Sequence, residues 1–270
     1  MPVFIEQAFD VHIIWIISAI FLASVFIGIG KAGFGGGVGL VSPALYAQVM
    51  PVPVMLPLML PLLIVGDWGS LYAWWKKWDL RNLWLLLPGT IAGVIVGALL
   101  LTTLEERYLR IGLGVISLGF VALQIARDRG VVTGEHFRPV WWQGTLAGMG
   151  AGFCSMLAHA AGPIITLYLI PQKLGKEKFV ATTVIYYTCL NLIKLPFFIG
   201  MKLLTVKVAV AAIWLAPVVV LGVFLGLWMN RRVSEKIFTW VVYVLVALTG
   251  TQLILGRQIL GVILSLLSGK

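Results

Sequence analysis

The sequence predicts an all-α polytopic membrane protein built from two inverted-topology repeats, each a broken or re-entrant helix pair followed by three transmembrane helices. Three observations predict it. Hydrophobic residues fill 60% of the 270 positions and charged residues only 11%, with a mean hydropathy of +1.02. A soluble domain is only about half apolar. The apolar residues gather into runs, several of which reach the ~20 residues that cross ~30 Å of hydrocarbon. The pattern of runs then begins again after one polar stretch, Arg127 to Pro139.

The first run, residues 11–28, ends at Gly28-Ile29-Gly30-Lys31-Ala32-Gly33-Phe34-Gly35-Gly36-Gly37-Val38-Gly39, which holds seven glycines and one lysine in twelve positions. Each interior glycine weakens a helix by roughly 1 kcal/mol, and a lysine at membrane depth adds about 2.5–3.5 kcal/mol. The stretch therefore predicts a break. Unwound backbone at that depth survives only where it is buried in protein or lines a watery cavity, and half-helix N-termini there offer N–H groups to anions. A second short run, Val38 to Met50, ends at Pro51-Val52-Pro53 and makes with the first either two short crossings or a re-entrant hairpin. Full spans are predicted over 54–74, 83–102 and 108–126, closing a first repeat of residues 1–126. Residues 127–140 form the linker. A second broken pair, 141–158 and 160–170, precedes spans over 179–200, 208–229 and 237–255; the second repeat is 141–256 and a tail covers 257–270. No cleavable signal peptide is expected, because Glu6 and Asp10 precede the first run without a basic segment.

Direct comparison of the halves supports duplication. Pro88, Gly93 and Gly97 fall in register with Pro217, Gly222 and Gly226, and Glu106-Arg107 falls on Glu235-Lys236. Gly30-Lys31-Ala32-Gly33-Phe34 lies over Met149-Gly150-Ala151-Gly152-Phe153 with a small offset, and Asp67-Trp68-Gly69-Ser70 lies near Asn191-Leu192-Ile193-Lys194. The loops after 74, 126, 170 and 229 carry twelve Lys or Arg, against six in the other connections and termini. The positive-inside rule then favours an odd number of crossings per half, hence an inverted repeat with both termini outside. Trp74, Trp75, Trp78, Trp84, Trp141, Trp142, Trp228 and Trp240 lie near predicted span ends, where indole rings favour headgroups.

Charge and motifs exclude other classes. Lys and Arg outnumber Asp and Glu by twenty to ten, for a net +10. Most of them lie between apolar runs and read as orientation signals, and no basic stripe supports nucleic-acid binding. Cys154 and Cys189 fall within apolar runs and read as small buried thiols. Cys154 and His159, five apart with no further ligand nearby, do not make a metal site. No cofactor is expected. G-x-S-x-G, H-E-x-x-H and the nucleotide-binding G-x-x-x-x-G-K-[ST] are all missing, so no enzyme is expected, and Gly28-x-Gly30-x-x-Gly33 lacks the strand that a dinucleotide fingerprint requires.

Four ionisable residues lie inside apolar segments: Lys31, Asp67, His159 and Lys194. Such residues are costly and face a cavity or one another. In an inverted repeat, equivalent positions converge near the midplane, so Asp67, Ser70, Asn191 and Lys194 are expected to face one cavity as an anion site with a titratable neighbour. Asp67 either carries a coupling proton or is a fixed counter-charge, and Lys194 either meets the anion or pairs with Asp67. His159, in Ala158-His159-Ala160-Ala161-Gly162-Pro163, can donate and accept. Ser155, Thr166, Thr182, Thr183 and Thr188 line the path or bond to helix carbonyls.

Gly33-Phe34-Gly35-Gly36-Gly37 followed by Ser42-Pro43, the duplicated apolar halves, and Gly152-Phe153-Cys154-Ser155 through His159 and Gly162-Pro163 to Pro171-Gln172-Lys173 resemble the TauE/SafE sulfite exporter family, the TSUP permeases. The resemblance covers residues 12–256 and implies transport of sulfite, a sulfonate or a related small sulfur-containing anion across a prokaryotic inner membrane by alternating access. His159 stands where the general family pattern has consecutive glycines, which points to recognition of a different anion. The expected substrate site is Lys31, Gly33, Gly35, Gly36, Gly37, Ser42, Ser70, Ser155, His159, Gly162, Asn191 and Lys194, with Asp67 as the proton-coupling group. The expected partners are the anion, the bilayer, coupling protons and a second copy in a homodimer. An anion channel shares all these residues, and an intramembrane enzyme using Cys154, His159 and Asp67 is the remaining alternative.

Overall fold

The computed structural model describes residues 2–32, 38–129, 140–232 and 235–255, and every regular element among them is helical. Helix α1 (Pro2–Lys31), a 3-10 turn (Val38–Leu40) and α2 (Val41–Val49) are followed by α3 (Val52–Ala73), α4 (Leu80–Leu101) and α5 (Glu106–Asp128). The second half repeats this order with α6 (Trp141–Ala158), α7 (Gly162–Leu169), a 3-10 turn (Ile170–Gln172), α8 (Lys176–Gly200), α9 (Val206–Arg232) and α10 (Glu235–Leu255). Segments of α1, α3, α4, α5, α8 and α9 are long and apolar enough to cross a membrane, so the chain is a multi-pass membrane protein. Helices α2 and α7, of nine and eight residues, reach only ~12–14 Å at 1.5 Å per residue, less than half of a ~30 Å hydrocarbon core. Neither crosses as a single helix.

The C-terminal end of α1 differs from the sequence-based expectation. Helix α1 does not stop before Gly28 but continues through Gly28 and Gly30 to Lys31. The reason is tertiary. A Cβ on Gly28 would overlap the Val219 carbonyl of α9, so the missing side chain lets two backbones touch, and that packing outweighs the weak helix propensity of glycine. The remaining part of the predicted break, Gly33 to Gly37, lies outside the described residues.

The helix pairings have an internal order. Helix α1 packs on α9 and α4 on α6; α3 packs on α8 and α5 on α10; α3 also meets α9, and α4 meets α8. Exchanging the first five helices for the last five maps each of these pairs onto another or onto itself. The glycines aligned between the halves share one task. Gly93 of α4 abuts the Met149 carbonyl of α6, and Gly222 of α9 abuts the Val25 carbonyl of α1. Gly89, Gly93 and Gly97 of α4 pack against Thr145, Met149 and Phe153 of α6, while Gly144, Gly148 and Gly152 pack against Leu85, Leu86 and Thr90 of α4; small residues four apart allow close helix crossing in lipid.

Polar pairs join helices inside an apolar interior. Ser24 Oγ of α1 lies 2.7 Å from Tyr46 Oη of α2, and Thr90 Oγ1 of α4 lies 2.9 Å from Tyr186 Oη of α8. In hydrocarbon such pairs bind helices together. The outer surface exposes Leu99, Trp214 and Phe224, as a lipid-facing surface does, while Trp75, Trp84, Trp141, Trp142, Trp228 and Trp240 stand exposed near helix ends.

Candidate anion-binding site

Lys31 is the last residue of α1. Its carbonyl lies 2.7 Å from Ser70 Oγ of α3, whose hydrogen is shared with Gly66 O at 3.0 Å. This closes an otherwise open helix C-terminus. Gly66 makes room for the lysine stem: a Cβ there would stand 3.1 Å from Lys31 Cγ. Lys31 Nζ donates to Asp67 Oδ1 at 2.5 Å and sits 5.1 Å from the centre of the Tyr187 ring, a cation–π distance. Asp67 is fully buried. Its second oxygen accepts from Asn191 Nδ2 of α8 at 2.7 Å, so both carboxylate oxygens are held.

The second half contributes a different cluster. His159 ends α6 in the left-handed conformation, φ 51° and ψ 30°. A non-glycine residue there costs ~1–2 kcal/mol, which is why glycine is usual at such caps. Contacts of the ring offset that cost. Nε2 lies 2.9 Å from the Leu56 carbonyl of α3, an atom that only accepts, so Nε2 carries the hydrogen. Nδ1 then accepts, and Lys194 Nζ donates to it at 2.8 Å. Lys194 Nζ also donates to Ser155 Oγ at 2.9 Å. Phe198 stacks on the imidazole with ring centres 6.4 Å apart.

Between the clusters lies a cavity of about 70 Å³. Lys31, Ser42, Ser155, His159, Tyr187 and Asn191 supply its polar wall. Ser42 and Gly162 belong to the first turns of α2 and α7, so two short helices begin at one cavity. First turns hold N–H groups without intrahelical partners and attract anions. Pro43 and Pro163 fit there because a first turn does not use their missing N–H. Among the ionisable residues gathered here are two lysines and one aspartate, a formal surplus of positive charge.

Of the residues expected at the site, Lys31, Ser42, Ser155, His159, Gly162 and Asn191 reach the cavity wall. Asp67, Ser70 and Lys194 stand behind it, and each bonds to a residue of that wall. Lys194 pairs with His159 and Ser155, while Lys31 takes Asp67. Gly33, Gly35, Gly36 and Gly37 lie outside the described residues. Sequence reasoning missed Tyr187 as a wall residue and left Thr183 undecided. Both could have been found from helical spacing, since 183, 187 and 191 follow one another at intervals of four on α8, and Lys194 comes three later.

The profile of the family described as Sulfite exporter TauE/SafE matches residues 20–253, most of the chain. No curated protein and no solved structure matches it.

Proposed function

The chain belongs to the Sulfite exporter TauE/SafE family, and from that premise we propose that it is a secondary transporter that moves a small sulfur-containing oxyanion across the prokaryotic inner membrane by alternating access. The observation that carries this reading is the meeting of Lys31, Asn191, His159 and the first turns of α2 and α7 on one small cavity. Lys31 supplies charge, the two helix starts supply N–H groups, and Lys194 holds Ser155 and His159 in place from behind. Asp67 acts as the fixed counter-charge of Lys31, because both of its oxygens are already engaged.

The exchangeable pairing of helices supports two inverted repeats, 1–126 and 141–256, whose relative rocking opens the cavity to each side in turn. The loop charges support both termini outside. A thermal-shift panel on purified protein tests the substrate class. A ligand at a hundred times its Kd stabilises the native state by about 2.7 kcal/mol. Sulfite, thiosulfate or a sulfonate should raise the melting temperature, and carboxylates should not. No response to any sulfur anion would remove the proposal.

A further inference from the structure

Two residues of the cavity wall, Ser42 and Tyr187, carry hydroxyl groups without a hydrogen-bond partner among the described residues. Both hydroxyl oxygens are buried. Ser42 itself is 1% exposed. A buried tyrosine hydroxyl ordinarily finds a partner, and an orphan in a native structure calls for an explanation. On the helix that carries Tyr187, Thr183 Oγ1 bonds the Val180 carbonyl at 2.8 Å, and Thr188 Oγ1 bonds the Val184 carbonyl at 2.9 Å. The two orphans therefore do not reflect a general shortage of carbonyl acceptors along α8.

Their surroundings specify what would satisfy them. Both border the cavity that Lys31 also borders. Lys31 Nζ has three hydrogens and one carboxylate partner in Asp67. Ser155 Oγ accepts from Lys194 and keeps its own hydrogen to donate. The wall thus presents donors from several directions, and the ligand that fits must offer several acceptor oxygens within a few heavy atoms. That describes a pyramidal or tetrahedral oxyanion.

We propose that Tyr187 and Ser42 donate their hydroxyl hydrogens directly to oxygens of the transported oxyanion, making Tyr187 a substrate-binding residue alongside Lys31. This rests on the transporter reading above and adds to it a ligand pair contributed by both halves, Ser42 from α2 and Tyr187 from α8.

The experiment compares wild type, Tyr187→Phe and Ser42→Ala in detergent by calorimetric titration with sulfite and by thermal melting. A hydrogen bond to a charged group is worth about tenfold in affinity, so each variant should bind sulfite about tenfold more weakly. Their unliganded melting temperatures should stay the same or rise, because removing an unsatisfied hydroxyl is neutral or stabilising. Opposite signs for stability and affinity are the signature of a ligand contact. Unchanged affinity in both variants would overturn the proposal. So would a lowered unliganded melting temperature with unchanged affinity, the result for hydroxyls that serve the fold. A wild type that binds no oxyanion would instead remove the underlying transporter reading.

Discussion

Asn191 donates from Nδ2 to Asp67 Oδ2 across 2.7 Å, joining α8 to α3 between positions 124 residues apart. In the comparison of the two halves Asp67-Trp68-Gly69-Ser70 lies near Asn191-Leu192-Ile193-Lys194, and the two segments touch here. One segment presents an acid and the other an amide. That difference lets a single carboxylate accept from Asn191 on one side and from Lys31 on the other. Two acids at this point would repel, and two amides would leave Lys31 without a counter-charge.

The Lys31–Asp67 pair should show strong coupling in a double-mutant cycle. Removing one partner of a buried ion pair costs about 3–5 kcal/mol because the other charge stays behind unpaired. Asp67→Asn should therefore lower the melting temperature sharply in sulfite-free buffer, and Lys31→Met with Asp67→Asn should recover part of the loss. Sulfite should rescue Asp67→Asn more than wild type, since the anion then serves as the missing counter-charge. Additive losses in the cycle would show that the pair does not couple.

Glycines at the crossing of α4 and α6 should tolerate no side chain. A Cβ on Gly148 would overlap the Leu86 carbonyl, whereas one on Gly112 meets nothing within 4 Å. Gly148→Ala should cost at least ~1–3 kcal/mol through forced separation of the helices. Gly112→Ala, in the interior of α5, should stabilise by up to about 1 kcal/mol through helix propensity. Thermal melting in one detergent compares them directly, and equal effects would contradict the close crossing.

His159 should matter more for transport than for folding. Replacing it with glycine relieves the left-handed backbone at φ 51° but removes the ring that Lys194 and the Leu56 carbonyl share. His159→Gly should stay monodisperse and bind sulfite more weakly, because Lys194 loses the ring that fixes it behind the wall. Wild-type affinity in this variant would take His159 out of the site.

Much of the fold was legible because hydrocarbon thickness dictates run length. The predicted pair 141–158 and 160–170 became α6 and α7, and the predicted span 54–74 became α3. The end of α1 was not legible, since Gly28 is helical only through its contact with α9, which no local propensity encodes. For the site, intramembrane charge singled out Lys31, Asp67, His159 and Lys194. Which of them reach the cavity depends on helix rotation: Asp67 and Lys194 turn behind the wall, while Tyr187, neutral and inconspicuous in an apolar run, faces it. The pairing of Lys194 with His159 rather than Asp67 depends on the turn at residues 159–161, which sets where the imidazole points.

Counterflow of labelled sulfite into proteoliposomes tests the central claim most directly, with wild type compared to Lys31→Ala. The account predicts saturable uptake that accelerates when unlabelled sulfite is preloaded, and its loss in the lysine variant. Uptake that neither saturates nor responds to preloading, or a Lys31→Ala protein that transports as well as wild type, would contradict it.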